Sequence, residues 1–509
     1  MKEQNVPANP GCIRRVVIVG GGTAGWMTAS ALGRYLKSDA PEIILLESSD
    51  IATVGVGEAT IPSITKFHRA LGLDERKLLA ATGATFKLGI EFVDWQNIGD
   101  RYFHPFGLFG KDVGGVGFHN LYLKISKSVT YDDAWRYSPC AVAAASGRFG
   151  PQAANNAKPT GGFPHAFHLD AKLYAAHLRD YAEAKGVFRV EGRVVEVVRR
   201  KENGFVQSVV LQDGRTIDGD LFIDCTGGRG LLIGDAMGVD YLDWRDSLPC
   251  NRAVVVPSKA DSTPALYTRA TAKPAGWQWR IPLQHRCGNG YVYSSDHVSD
   301  DAAAQELLND VSDRLETPRI LTFRTGRRAE FWRGNVVAIG LSAGFLEPLE
   351  STSIHLIQTG VSKLLNLFPD KTFSRALAAE YNKTMINAFE GVRDFIILHY
   401  KATKRTDTTF WDRVREMPIP TSLRDRVELF RESGRFVRDE NELFSLESWI
   451  LVMLGQGIVP ERYSPLVDAI DDVLVNSAEK EIRAEIADAV RSMPTHEVYL
   501  RSLSKTADA

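Results

Sequence analysis

A glycine-rich turn near the start of the chain constrains the fold more than any other feature of the sequence. Residues 13–19 read "IRRVVIV", a run typical of a buried parallel strand. The next six residues, Gly20-Gly21-Gly22-Thr23-Ala24-Gly25, fit the pattern G-x-G-x-x-G, and apolar residues at helical spacing follow in "WMTASALGRYL". Strand, glycine turn and helix in this order are the context in which the pattern binds a dinucleotide.

The same turn predicts which residues contact the nucleotide. Glycines permit a tight turn and a close approach of the backbone to a pyrophosphate, and the helix start offers free N–H groups to phosphate oxygens. A second strand, "EIILLE", ends at Glu47, where a carboxylate can bond a ribose hydroxyl. We therefore expect the cofactor-binding residues to include Gly20, Gly22, Thr23, Ala24, Gly25 and Glu47.

Two later strands indicate that the dinucleotide is FAD. "LFIDCTGG" at 221–228 ends in small residues, and "GNVVAIGLSAG" at 334–344 leads into a predicted helix. A late strand–glycine–helix unit that returns to an N-terminal Rossmann unit is the layout of FAD proteins of the glutathione-reductase and hydroxylase type. The predicted fold class is α/β: a Rossmann-like FAD-binding domain with an added, mostly helical, substrate-binding region.

Changes in periodicity along the chain predict the domain boundaries. Residues 1–95 and 161–367 are expected to form the FAD-binding domain with its associated sheet, including a turn at Asp213-Gly214. Residues 96–160 and 368–509 are expected to form the mostly helical region that covers the substrate. The second of these contains "ALAAEYNKTMINAFEGVRDFIILHY", with apolar residues at steps of three and four.

Composition excludes several classes of function. The 509 residues carry a net charge of −2, so no basic field favours nucleic acid. No apolar run approaches the roughly 20 residues of a spanning helix, which argues against a membrane protein. Five scattered cysteines without C-x-x-C predict reduced thiols in a cytoplasmic protein and no metal site.

Three further stretches carry candidate chemistry, each with a simpler structural explanation. Lys87 stands alone among apolar and small residues in "TGATFKLGIEFVDW". Three explanations are open for it: a reactive amine, a paired structural ion, or a lysine whose ammonium reaches water. Trp277 and Trp279 in "GWQWRIPL" are spaced as core residues of a strand. In "GFLEPLESTSIHLIQTG", the run 351–353 is typical of a helix start, which can also bind an anion.

Taken together, "GGGTAGW", "TFKLGI", "GWQWRIP" and "FLEPLESTSI" resemble the flavin-dependent halogenases of the tryptophan-halogenase family. "VGVGEATIPS" at 54–63 is similar to the flavin strap of that family. The resemblance implies an enzyme that uses reduced FAD (FADH2), dioxygen and bromide or chloride to halogenate an electron-rich aromatic ring, with an indole as the expected substrate. Hypohalous acid would pass through a tunnel to Lys87.

The resemblance also implies roles for particular residues. Lys87 and Glu350 would be catalytic: the lysine would bind or react with the oxidant, and the glutamate would stabilise charge on the ring or accept its proton. The backbone N–H groups of Thr352 and Ser353 would bind halide. The remaining implied residues lie beside the flavin ring (Leu341, Ile354), contact the adenine end of the cofactor (Val194), contact the substrate (His104, Phe106, Trp449) or suppress monooxygenase chemistry (Trp277, Trp279).

Two departures from the family pattern carry expectations of their own. The family reads E-S-T-G where this chain has Ser353 in the last position; if that position needs a positive φ or a close approach to halide, serine fits less well than glycine. We therefore expect a preference for bromide. The segment "DENELFSLESWILVMLGQG" contains Trp449 but no tyrosine pair to hold an amino acid, so we expect an indole rather than free tryptophan.

Two other functions compete with this interpretation. An FAD-dependent aromatic monooxygenase (hydroxylase) shares the cofactor but needs neither halide nor Lys87. A non-catalytic flavin-binding protein would need neither Lys87 nor Glu350. Because no second nucleotide fingerprint follows a strand, a separate NADH-dependent flavin reductase is expected to supply FADH2, and the other partner is a small aromatic substrate.

Overall fold

A six-stranded sheet forms the centre of the nucleotide-binding half. The computed structural model describes residues 11–36, 41–50, 57–126, 134–150, 162–440 and 442–505. The strand order in this sheet is Trp332–Arg333, Val336–Ala338, Leu221–Asp224, Arg15–Val19, Glu42–Glu47 and Phe188–Glu191. The pairings are parallel except at Trp332–Arg333. The inner strands are almost wholly apolar because helices cover the sheet.

A second, seven-stranded sheet stands beside the first. Its order is Arg319–Thr322, Arg252–Lys259, Arg286–Tyr293, Gly276–Pro282, Tyr267–Lys273, Gly89–Val93 and Arg101–Pro105. Three small sheets complete the β structure of the described residues. They are Thr216–Asp218 with Val206–Leu211 and Val194–Arg199, Tyr241–Asp243 with Gly326–Arg328 and Gly344–Phe345, and Gly57–Ala59 with Ala166–Asp170 and Thr85–Lys87.

Helices fill the spaces between the sheets and dominate the C-terminal part. The α-helices of the described residues are Thr23–Tyr35, Ser63–Leu71, Glu75–Thr82, Phe118–Ile125, Pro139–Ala145, Ala171–Glu183, Asp300–Asp310, Ser353–Asn366, Arg375–Lys401, Thr409–Glu416, Thr421–Ser433, Leu446–Gly455, Asp472–Arg491 and His496–Lys505. None of them is both long and apolar enough to cross a membrane.

The architecture confirms the predicted fold class, an α/β protein with a Rossmann-like sheet and a helical region. The turn at Asp213-Gly214 joins two antiparallel strands, as predicted. One local difference lies at Arg101–Pro105, a strand inside the segment predicted to be mostly helical, which pairs with Gly89–Val93. The predicted flavin strap lies partly outside the described residues, because 54–56 are not among them.

Candidate active site

The glycine turn forms a cradle in which side chains would collide. A Cβ on Gly21 would lie 1.8 Å from the Glu47 carboxylate, and one on Gly25 would lie 1.9 Å from the Gly20 carbonyl oxygen. Gly22 faces open space and caps the helix Thr23–Tyr35 without a side-chain hydrogen bond. The turn therefore leaves room and free backbone donors for an anionic group at the helix start.

Glu47 lies at the edge of this cradle, at the end of its strand. Its Oε2 accepts a hydrogen bond from Trp26 Nε1 at 3.2 Å, and Arg189 pairs with its other oxygen. The carboxylate is thus held at the rim where a ribose hydroxyl is expected.

A cavity of about 1890 Å³ opens from the cradle toward the seven-stranded sheet. Of the predicted cofactor residues, Gly25 is buried behind the turn and does not line the cavity. The others do: Gly20, Gly22, Thr23, Ala24, Glu47, Val194, Leu341 and Ile354. Trp277 and Trp279 also line it, with ring centroids 6.1 Å apart. The glycine cradle, the acid at its rim and the size of the cavity fit FAD.

Lys87 lies beside this cavity and is completely buried. Its Nζ donates hydrogen bonds to Ser351 Oγ at 2.7 Å and to the Thr60 carbonyl at 3.1 Å, and lies 5.4 Å from the centroid of the Phe106 ring. Burial lowers the pKa of Lys87 to about 7, although Glu350 opposes that shift. An ammonium group has three donors, so two acceptors leave one N–H for a further ligand.

Glu350 is equally buried and is held by two histidines. It ends the short turn Pro348–Glu350, where its Oε2 accepts from His104 Nδ1 at 2.9 Å and its Oε1 accepts from His399 Nε2 at 2.7 Å. Burial would raise the pKa of Glu350, but the two histidines outweigh burial and lower it. The carboxylate is therefore ionised near neutral pH.

Ser351 joins the lysine to the cavity. It follows Glu350, lines the cavity and accepts the Lys87 hydrogen bond, whereas Lys87 and Glu350 do not themselves form the cavity wall. Its φ of 59° places it in the left-handed region. The strained position of this motif is thus Ser351 and not Ser353, so the conformational part of the argument for a bromide preference is not supported.

The two residues expected to bind halide lie at the next helix start. Ser353 begins the helix Ser353–Asn366 and lines the cavity, and Thr352 caps it without a side-chain hydrogen bond while only 1% exposed. The first N–H groups of a helix have no acceptor within it, so this end presents backbone donors beside Ser351.

The residues expected to contact substrate are not all adjacent. His104 and Phe106 touch Glu350 and Lys87, respectively. Trp449 is completely buried, donates to Glu442 Oε1 at 3.0 Å and packs edge-on against Phe395, which in turn lies 5.5 Å from the His104 ring between centroids. Phe395 therefore contacts both the tryptophan and the histidine.

Sequence reasoning missed several residues of the site. His399 and Tyr400, which bond Glu350 and Glu347, lie at the end of a helix that was predicted only from its apolar spacing. Glu347 Oε2 also accepts from Trp277 Nε1 at 2.9 Å, and burial raises the pKa of Glu347 to about 7. The available signal was a His-Tyr pair in the otherwise apolar run "FIILHY".

A dinucleotide cradle that opens into a cavity beside a buried lysine and carboxylate fits a flavin-dependent enzyme. The family model described as tryptophan halogenase matches residues 15–472. The chain belongs to the tryptophan halogenase family, and its cofactors are reduced FAD and a halide ion.

Characterised relatives and solved structures agree with this assignment. The tryptophan 6-halogenase SttH of Streptomyces toxytricini is 35% identical, over 96% of this chain and 98% of that protein. The tryptophan 7-halogenase RebH of Lentzea aerocolonigenes is 36% identical, over 89% and 92%. The structure of BrvH, a flavin-dependent halogenase from Brevundimonas sp. BAL3, has 47% identity and a TM-score of 0.91, covering 96% of this chain and 99% of its own.

Proposed function

We propose that this enzyme halogenates an indole through hypohalous acid that is bound by Lys87 and directed by Glu350. When bound, reduced FAD supplies, together with dioxygen, the oxidising power that converts halide into hypohalous acid. The hydrogen bond from Lys87 to Ser351 carries the proposal, because Ser351 lines the cofactor cavity and directly follows Glu350, whose charge acts on Lys87. The free N–H of Lys87 would hold the oxidant, and the ionised Glu350 would stabilise positive charge on the ring.

The test combines the enzyme with FAD, NADH, bromide and a separate flavin reductase, which we propose as the natural source of FADH2. The readout is the mass of the products formed from a panel of indoles and phenols. We expect products that gain bromine only when bromide is present. Products that gain oxygen whether or not bromide is present would instead indicate a hydroxylase.

We expect indole to be turned over faster than L-tryptophan in the same assay. The described part of 435–450 brings Trp449 against Phe395, Phe436 and Glu442, and the segment lacks a tyrosine pair to hold an amino-acid group. A strong preference for L-tryptophan would contradict this expectation. Equal bromide and chloride in one reaction would show which halide is preferred.

We also expect the rate of halogenation to fall as the pH rises through about 7, the pKa to which burial brings Lys87. The protonated form, which dominates below that pH, is the one with an N–H to spare for the oxidant. The reductase activity, followed as NADH oxidation over the same pH range, is the control. A rate that instead rises through this pH would show that the neutral amine is the reactive form.

A further inference from the structure

The last turn of the helix Arg375–Lys401 holds both buried acids of "FLEPLE". His399 Nε2 bonds Glu350 Oε1 at 2.7 Å, and at the next position the Tyr400 hydroxyl donates to Glu347 Oε2 at 2.6 Å. The two acids therefore bond adjacent residues at the C-terminal end of the same helix. Of these two contacts, the one from His399 reaches Glu350, the carboxylate whose charge acts on Lys87.

The other ring nitrogen of His399 fixes its tautomer. His399 Nδ1 lies 2.7 Å from the Tyr102 hydroxyl, which accepts from Gln456 Nε2 at 2.9 Å. An ionised carboxylate can only accept, so His399 Nε2 carries the proton and Nδ1 accepts from the Tyr102 hydroxyl. Gln456 also donates to the His399 carbonyl at 3.1 Å. The hydrogen bonds that link Gln456, Tyr102 and His399 side chain to side chain are thus donated in the direction of Glu350.

Packing holds the imidazole in place. The ring stacks on Phe92 with centroids 4.5 Å apart and an interplanar angle of 17°, and Phe395 meets it edge-on at 5.5 Å. The ring is completely buried, and this burial lowers the pKa of His399, so the imidazole stays neutral. A neutral, immobile donor can orient a carboxylate without taking its charge.

We propose that His399 is a positioning residue for halogenation, which fixes the orientation of the Glu350 carboxylate and keeps it ionised beside Lys87. The inference rests on the proposed function, because the carboxylate must act on the oxidant or the arene. The titratable groups facing Glu350 are Lys87, His104 and His399, and Tyr102 faces His399 from the other side.

The test compares kcat and KM for indole in the wild type, His399→Leu and His399→Gln over the pH range in which the enzyme is stable. We expect His399→Leu to lower kcat roughly 10- to 100-fold, with KM changed less than about threefold. Losing a donor favours the protonated acid, so the fall in kcat on the acid side should move to higher pH. His399→Gln retains an amide donor and should recover part of the rate.

Tyr400→Phe is the matched control, because it removes the neighbouring contact to Glu347 and leaves Glu350 untouched. The pH at which kcat falls on the acid side should be the same in Tyr400→Phe as in the wild type. Flavin binding and thermal melting identify a variant that does not fold. If His399→Leu does not fold, the same measurements are made on His399→Gln and Tyr102→Phe. If the wild type brominates indole but the folded variants show an unchanged kcat and an unchanged acid-side limb, the inference about His399 is wrong and the proposed function stands. A wild type that makes no brominated product overturns the proposed function as well.

Discussion

Lys87→Ala is expected to lower halogenation roughly 1000-fold or more, the magnitude typical of losing a group that acts on the reacting atoms. The substitution removes the ammonium group that donates hydrogen bonds to Ser351 Oγ and to the Thr60 carbonyl. Because Lys87 does not line the cofactor cavity, flavin binding should be retained. Brominated indole, measured by mass spectrometry with excess reductase, reports the loss.

Two variants separate the chemistry of Lys87 from its packing. Lys66→Ala removes an exposed lysine from the nearby helix Ser63–Leu71 and should leave the rate unchanged. Lys87→Met keeps most of the side-chain volume without the charge and should be as inactive as Lys87→Ala. A Lys87→Met enzyme that brominates indole at more than about a tenth of the wild-type rate would contradict the proposed role of the ammonium.

Features set by local sequence were predictable. The strand Arg15–Val19, the turn at Gly20 and the helix Thr23–Tyr35 follow from apolar periodicity and from the freedom of glycine to adopt a φ of 117°. The helix Arg375–Lys401 follows from the same kind of spacing. In each case the pattern that predicts the element lies within a few consecutive residues, even where, as in the strand Arg15–Val19, its partners are distant.

Features that depend on distant partners were not predictable from spacing. His399 is 49 positions from Glu350, and Ser351 is 264 positions from Lys87. Only the packed fold decides which of several polar residues in an apolar run meets which acid. The backbone conformation at Ser353 was unpredictable for a related reason: the motif places its left-handed residue two positions earlier, where Ser351 turns the chain into the helix, and the preference for bromide stays a prediction.

The second large effect is expected for Glu350→Gln, which should lower kcat roughly 100- to 1000-fold with a small change in KM for indole. Both carboxylate oxygens accept from imidazole N–H groups, and an amide nitrogen cannot accept, so one histidine donor loses its partner. The change also removes the charge that raises the pKa of Lys87, so less of the lysine is protonated at neutral pH. Initial rates at saturating bromide measure the loss.

Glu347→Gln is the matched control, on the same turn and equally buried. Burial brings the pKa of Glu347 to about 7, so this acid is already close to the neutral state that an amide resembles. Its Oε2 accepts from both Trp277 and Tyr400, which an amide oxygen can continue to do. We therefore expect a loss of less than about tenfold. Equal losses in the two variants would mean that the packing of this turn, and not the negative charge beside Lys87, limits halogenation.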